Sequence, residues 1–236
     1  MIAEDPANPD LLFVGNDHGV YVSIDRGAHW TRMNNTIPNI PIRDIIIHPR
    51  TRDLLLGSYG RGIFVTNIAA LEEMSGAMLA KEVHLFATRP AIQRVIWSYG
   101  ANDYLFGQHQ LQTPNEPNGM VIRYYLKTAT TGPATIAIAN AAGQEVARLQ
   151  GRSTAGVNEV VWNMRYPGGR GGGGGRGGAG GGTTIQGPVS SDPIAQWLPL
   201  GDYTVTLSVA GQTLSQKATI ARTQGWSLGI RPQIIR

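Results

Sequence analysis

"DPANPDLLFVGNDHGVYVS", residues 5–23, and "HPRTRDLLLGSYGRGIFVT", residues 48–66, are two versions of one pattern. They stand 43 residues apart, with Pro6 on Pro49, Asp10-Leu11-Leu12 on Asp53-Leu54-Leu55, and Gly19-Val20-Tyr21-Val22 on Gly62-Ile63-Phe64-Val65. Each version reads as a proline-marked turn, a strand, a glycine turn and a second strand. A period of about 40–45 residues built from short strands is the signature of β-propeller blades. The first version runs on through "SIDRGAHW", residues 23–30, into a third strand from Trp30 to Met33. "IRDIIIHP", residues 42–49, opens the next blade as its innermost strand. Its Ile45-Ile46-Ile47 run lacks alternation, which predicts burial on both faces.

The bulk composition agrees with an all-β protein. The chain has 236 residues, 42% apolar and only 15% charged, with a net charge of +4. That length holds one large or two small domains with a real core. A charge so small and so dispersed is no nucleic-acid footprint. With no cysteine there is no disulfide, thiolate metal site or cysteine nucleophile. The apolar runs are too short to span a membrane. Residues 1–20 lack the basic start and apolar core of a signal peptide.

"SIDRGAHW" falls at the turn between the third and outermost strands of a blade. Gly27 permits positive φ there. Asp25 is short enough to accept hydrogen bonds from turn amides. Trp30 can lay its large apolar face over the blade edge. Ser23, Asp25, Gly27 and Trp30 give S-x-D-x-G-x-x-W, which closely resembles the Asp-box, or BNR repeat, of sialidase-like and sortilin-type propellers. The resemblance implies a structural turn remote from any active site.

In a four-stranded meander the first and third turns share one face of the propeller. The Asp-box therefore lies with "DPANPD". The opposite face carries "GNDHG", "GSYGRG" and the crossover "NNTIPNIP". Asn16, Asp17, His18, Tyr59 and Arg61 are the candidate binding residues of that pocket face; each is also an ordinary solvated turn residue. "SYGRGIFV" resembles the closing blade of BNR proteins described as glycosyl hydrolases, which is an analogy of fold and assigns no chemistry.

The last blade lacks an outer strand. After Thr66-Asn67 comes "IAALEEMSGAMLA", where Leu71, Met74 and Met78 stand at helical spacing and predict one short helix leaving the propeller. "EVHLFATRPA", residues 82–91, reads as an extended connector, and residues 92–118 are irregular. The expected divisions are 1–67 for the blades, 68–117 for helix and connector, 118–222 for an Ig-like β-sandwich and 223–236 for a tail. In the sandwich "VIRYYLK", "ATIAIAN", "EVARLQ" and "VNEVVWNM" alternate, and "DYTVTLSV" and "LSQKATIA" form a hairpin around "AGQ". Tyr203 stands at the start of a late strand, the place of a tyrosine corner. "AGVNEVVWNM" and "LPLGDYTVTL" resemble the Ig-like domain of the flagellar hook-capping protein FlgD, a module that implies a spacer or assembly role. "PGGRGGGGGRGGAGGG", residues 167–182, interrupts the sandwich. With two arginines, Arg170 and Arg176, and no interleaved aromatics, it is a loop insertion rather than an RGG segment.

Catalytic constellations are missing from the sequence. The five histidines are scattered without metal spacing, so no metal or other cofactor is expected. Glycoside hydrolysis needs two carboxylates about 5–10 Å apart; Asp17 has no evident partner, and Glu72-Glu73 sit on the exit helix. The fold class is thus all-β: the last one to two blades of an incomplete propeller, then an Ig-like sandwich. Because propellers have about four or more blades, the chain is expected to be the C-terminal portion of a longer protein, with upstream blades as its first partner. The resemblance implies a non-catalytic, secreted or periplasmic bacterial protein that scaffolds or binds protein or glycan, without nucleic acid or a membrane span. The alternative is the tail of a sialidase- or glucanase-like glycoside hydrolase whose catalytic residues lie in upstream blades.

One expectation follows from the glycine run. Replacing residues 168–182 by a short linker leaves the sandwich folded, because lengthening a flexible loop costs little free energy. Retained dispersion of the amide NMR spectrum is the expected outcome, and its collapse would show that the run is part of the fold.

Overall fold

The structure, a computed structural model, describes residues 1–33, 37–93, 117, 119–166 and 197–221. The glycine run 167–182, the tail 223–236 and most of the irregular stretch 92–118 lie outside the described residues. The chain is all-β and divides into two units, Met1–Phe86 and Ala87–Arg236.

The first unit contains two blades of an incomplete propeller. Strands β1 (Ile2–Glu4), β2 (Leu12–Asn16), β3 (Gly19–Ser23) and β4 (Thr31–Arg32) form an antiparallel four-stranded meander in chain order. Strands β5 (Ile42–His48), β6 (Asp53–Ser58) and β7 (Ile63–Asn67) form a three-stranded one. β1 supplies an innermost strand that the sequence pattern, which starts at the first turn, does not reveal. The two sheets pack face to face through Leu11, Phe13, Val20, Ile42, Ile45, Leu54 and Leu56, with Ala3, Val22 and Phe64 at the margin. Each fully buried aliphatic or Phe side chain contributes about 1.5–3 kcal/mol. Gly15 sets the approach, since a Cβ there would stand 2.8 Å from Ile42 Cγ2.

The sequence repeat is a structural repeat with one slip. Asp5 Oδ1 accepts from Asn8 N at 2.8 Å, and in the second copy His48 Nδ1 accepts from Thr51 N at 3.2 Å. The β2–β3 hairpin closes on the two residues Asp17-His18, with Asn16 opposite Gly19. The β6–β7 hairpin carries three, Tyr59-Gly60-Arg61, because Ser58 N donates to Gly62 O. Phe13 therefore faces Val22, whereas Leu55, and not Leu56, faces Val65. A shift of one residue moves a strand's side chains to the other face. Val20 is buried while its sequence match Ile63 is open to solvent.

Two expectations are corrected. Ile45-Ile46-Ile47 is not buried on both faces: the blade core lies on the Ile45 face of β5, and Ile46, which points to the other face, is 55% exposed. The single exit helix is two four-residue helices, α1 (Ala69–Glu72) and α2 (Gly76–Leu79). Ser75 breaks them, its backbone extended and its side chain accepting from Met78 N to cap α2. Leu71 still packs on the blade core and Met78 is buried, whereas Met74 falls between the helices. The stretch read as a connector contains two short strands, β8 (Val83–Leu85) and β9 (Ala91–Ile92), and β9 pairs in parallel with Ile220-Ala221.

The second unit is an Ig-like β-sandwich. β10 (Met120–Leu126) pairs with β13 (Gly156–Trp162). β11 (Ala134–Asn140), β12 (Glu145–Gly151), β14 (Gly201–Val209) and β15 (Gln212–Ala221) join β9 in a five-stranded sheet of order β12-β11-β14-β15-β9. β10, β11 and β14 alternate buried and partly exposed residues, as strands between core and solvent do. Trp162 of one sheet meets Tyr203 of the other edge-on, at 5.4 Å between ring centroids. Tyr203 Oη donates to Pro199 O at 2.7 Å, the bond of a tyrosine corner. Burial pushes the Tyr124 phenol up to about 12, so it remains a donor to Arg152 O.

Gly15→Ala is expected to destabilise the first unit by about 1–3 kcal/mol, because the sheets must part to admit the methyl group. Gly76→Ala, where a Cβ meets nothing within 4 Å, is the control and should be neutral. Denaturant midpoints of both variants check this, and equal midpoints would show that the sheets are not in contact at Gly15.

Candidate functional site

Two clusters of turns carry the predicted site residues, one at each end of the blade strands. At the first, β3 runs out at Ser23, which is buried. Ser23 Oγ accepts from Gly27 N at 2.8 Å and donates to Asp25 Oδ1 at 2.7 Å. Asp25 Oδ1 also accepts from His29 N at 2.9 Å, and Oδ2 lies 2.6 Å from His29 Nδ1. Arg26 and Gly27 both take positive φ, 57° and 89°, which folds the chain tightly enough for these bonds. Trp30 covers the turn, its ring 3.5 Å from where a Gly27 Cβ would stand. Arg26 N donates to Asp10 O at 3.1 Å, and the Arg26 guanidinium meets the Asp10 carboxylate. The turn thus lies beside "DPANPD", as the meander geometry requires.

Asp25 is held ionised by these bonds. The His29 amide, then the His29 ring, then the Ser23 hydroxyl bring its pKa down to about 2. A carboxylate that accepts bonds at both oxygens is a poor general acid or base at neutral pH. Behind it, Asp5 Oδ1 accepts from Ala7 N and Asn8 N at 2.8 Å each. Asn8 Nδ2 reaches Glu72 O at 3.0 Å, tying this end of the blade to α1. Burial raises the pKa of Glu72, opposed by Arg52, whose Nε stands 3.2 Å from Glu72 Oε2.

At the other end, the structure brings two of the five pocket-face candidates onto one cation. Arg43 Nη2 is 3.1 Å from Asp17 Oδ1, and the guanidinium carbon lies 5.9 Å from the centre of the Tyr59 ring. Tyr59 N donates to Pro41 O at 3.0 Å, which fixes its loop against the crossover. The Tyr59 side chain is 73% exposed. Asn16 Oδ1 accepts from His18 N at 2.8 Å and shapes the turn. Asn16 also joins Val14, Tyr21 and Trp30 around an open concavity of about 330 Å³. His18 and Arg61 are exposed and stand outside the Asp17–Arg43–Tyr59 group.

Arg43 is the residue that sequence reasoning missed. Its signal was a charge at the start of an innermost strand, just after the crossover, at the strand end where the second turns lie. The arrangement presents a cation, a carboxylate and an aromatic face to solvent, which suits binding. Asp17 is committed to Arg43 rather than to a second carboxylate. Among the described residues no group of three or more His, Cys, Asp or Glu could hold a metal ion, and no helix is long and apolar enough to cross a membrane.

No family model and no curated protein matches the chain. Among solved structures it is similar to PorZ, an essential bacterial surface component of the type-IX secretion system of Porphyromonas gingivalis. The identity is 15% and the TM-score 0.29. The match takes in 94% of this chain, which spans 22% of that one.

Ser23→Ala leaves the Gly27 amide without its acceptor and is expected to cost about 1–3 kcal/mol. Asp25 adds a pH signature. Its folded pKa, about 2, lies below the 3.8 of an unperturbed aspartate. Its stabilising share is complete above that unfolded value and disappears as pH falls through the folded one. Denaturation between pH 5 and pH 2 should show a loss in wild type that Asp25→Asn lacks in part. Parallel curves for the two proteins would show that Asp25 is not bonded in the turn.

Proposed function

We propose that this chain is a non-catalytic portion of a secreted or periplasmic bacterial protein of the Asp-box propeller type, completed by a FlgD-like sandwich, and that it works as a scaffold and binding module. The ligand surface in this reading is the face that carries Asp17, Arg43 and Tyr59, with Asn16, His18 and Arg61 around it. Its ligand is a glycan or a polar protein segment. The observation that carries the reading is the contrast between the two turn clusters. Asp25 accepts bonds from its own turn at both carboxylate oxygens. Arg43 is instead held by one carboxylate and one exposed ring. An exposed aromatic face beside a guanidinium and a carboxylate suits stacking on a sugar ring together with hydrogen bonds to hydroxyls. The S-x-D-x-G-x-x-W spacing supports the Asp-box assignment, and the cross-sheet Trp162–Tyr203 contact supports the sandwich module.

The rival reading, the tail of a glycoside hydrolase whose catalytic residues lie in upstream blades, differs in what a longer protein carrying those blades would do to a glycoside. The full chain is expected to bind members of a glycan or peptide array without cleaving 4-methylumbelliferyl glycosides. Tyr59→Ala and Arg43→Ala should each weaken that binding about tenfold or more, about 1.4 kcal/mol, while Asp25→Asn leaves it unchanged. Turnover of a 4-methylumbelliferyl glycoside by the longer protein, and not by this chain, would establish the enzyme instead. Binding indifferent to Tyr59 and Arg43 would move the ligand surface elsewhere.

A further inference from the structure

The interface between the two blades has two halves, and each half recurs unpaired on the outside of the same unit. Blade pairings identify the matching positions. Ile2 faces Val14 and Ile45 faces Leu56; Phe13 faces Val22 and Leu55 faces Val65. β1 and β3 thus match β5 and β7 at a spacing of 43 residues, while β2 matches β6 at 42, the slip imposed by the longer hairpin loop.

With that correspondence, the inner face of the first blade, Ala3, Phe13, Val20 and Val22, maps onto Ile46, Leu55, Ile63 and Val65. Those four form the open face of the second blade. Conversely, the inner face of the second blade, Ile45, Leu54, Leu56 and Phe64, maps back onto Ile2, Leu12, Val14 and Tyr21, the open face of the first. The inner positions lie in or against the blade core, and none of the eight outer ones does. Ile46, Ile63 and Val65 are 55%, 75% and 61% exposed, and Ile2 is 62% exposed. The concavity beside Val14 and Tyr21 lies on the first blade's open face.

The unit therefore displays on its two outsides the two complementary halves of a contact it already makes inside. We propose that the chain associates with a second copy of itself head to tail. The open face of β5–β7 on one copy packs on the open face of β1–β4 of the next and repeats the internal blade contact. The repeat identifies the occupant: a surface matching the first blade's inner face seeks a surface matching the second blade's inner face, and this chain carries one. Such an interface is heterologous, so each added copy leaves one face of each kind free. Growth continues until a ring closes or a filament forms. The inference rests on the blade packing and is independent of any ligand at Arg43.

The test uses the full chain and two variants at exposed positions, Ile2→Glu on one face and Val65→Glu on the other. In sedimentation velocity the wild type should pass beyond the dimer as concentration rises. Each variant alone keeps one intact face, so it should lack a complement and remain at its monomer mass near 25.3 kDa. Mixed in equal amounts, the variants should form a dimer and stop there, because the Ile2 variant offers the second-blade face and the Val65 variant the first-blade face. Val157→Glu in the second unit should associate like wild type. Circular dichroism establishes that each variant is folded; should Ile2→Glu fail to fold, Val14→Lys takes its place. A wild type that stays monomeric at every concentration overturns the proposal and leaves the faces to other blades of a longer chain. A variant that dimerises alone, or a mixture that does not, overturns the head-to-tail geometry.

Discussion

The packing of β1–β4 on β5–β7 through Phe13, Leu54 and Leu56 is the contact on which the first unit depends. Each sheet, one of four strands and one of three, has an apolar face that must be buried against another layer, and here each buries the other's. The contact also fixes register, because a strand that slips by one residue presents its other side. The loop Tyr59-Gly60-Arg61 is one residue longer than Asp17-His18, and the repeat absorbs the difference by shifting β6 between its neighbours. Leu54 and Leu56 thereby face the first blade, while Ile63 and Val65 face outward.

The turns hold this packing at both ends. At one end Ser23 and Asp25 satisfy amides of the turn from Ser23 to Trp30, and Asp5 does the same for "DPANPD". Backbone groups at a blade end would otherwise compete for water, and the strands would fray. At the other end glycines at positive φ, Gly60 and Gly62, carry the chain around Tyr59 and leave its ring in solvent. The division of labour is chemical. Short side chains that accept amide bonds close one end, whereas a long cation, a carboxylate and an aromatic ring meet at the other.

The sandwich of the second unit is built by different means. Its core depends on strict alternation over longer strands, and its hairpin turns are conventional: Ala210 and Gly211 take positive φ, 52° and 75°, in the two-residue link between β14 and β15. The cross-sheet Trp162–Tyr203 contact and the bond from Tyr203 to Pro199 O fix the chain where it enters β14.

By itself the sequence determined the repeat, the order of the strands from β2 onward in the blades, the tight turn from Ser23 to Trp30, the hairpin around "AGQ" and the role of Tyr203. All of these are local: a period, an alternation, or a side chain that bonds amides within a few residues of its own. Tertiary structure alone decided which face of β7 is buried, since that depends on a one-residue slip that leaves the 43-residue spacing of the flanking strands intact. It decided that Ile46 is open, because an all-apolar strand reads the same whether one neighbour or two cover it. It broke the exit helix at Ser75, where a cap outweighs a Leu/Met stripe. And it brought Arg43 to Asp17 and Tyr59, three residues on separate segments whose meeting no spacing in the sequence records.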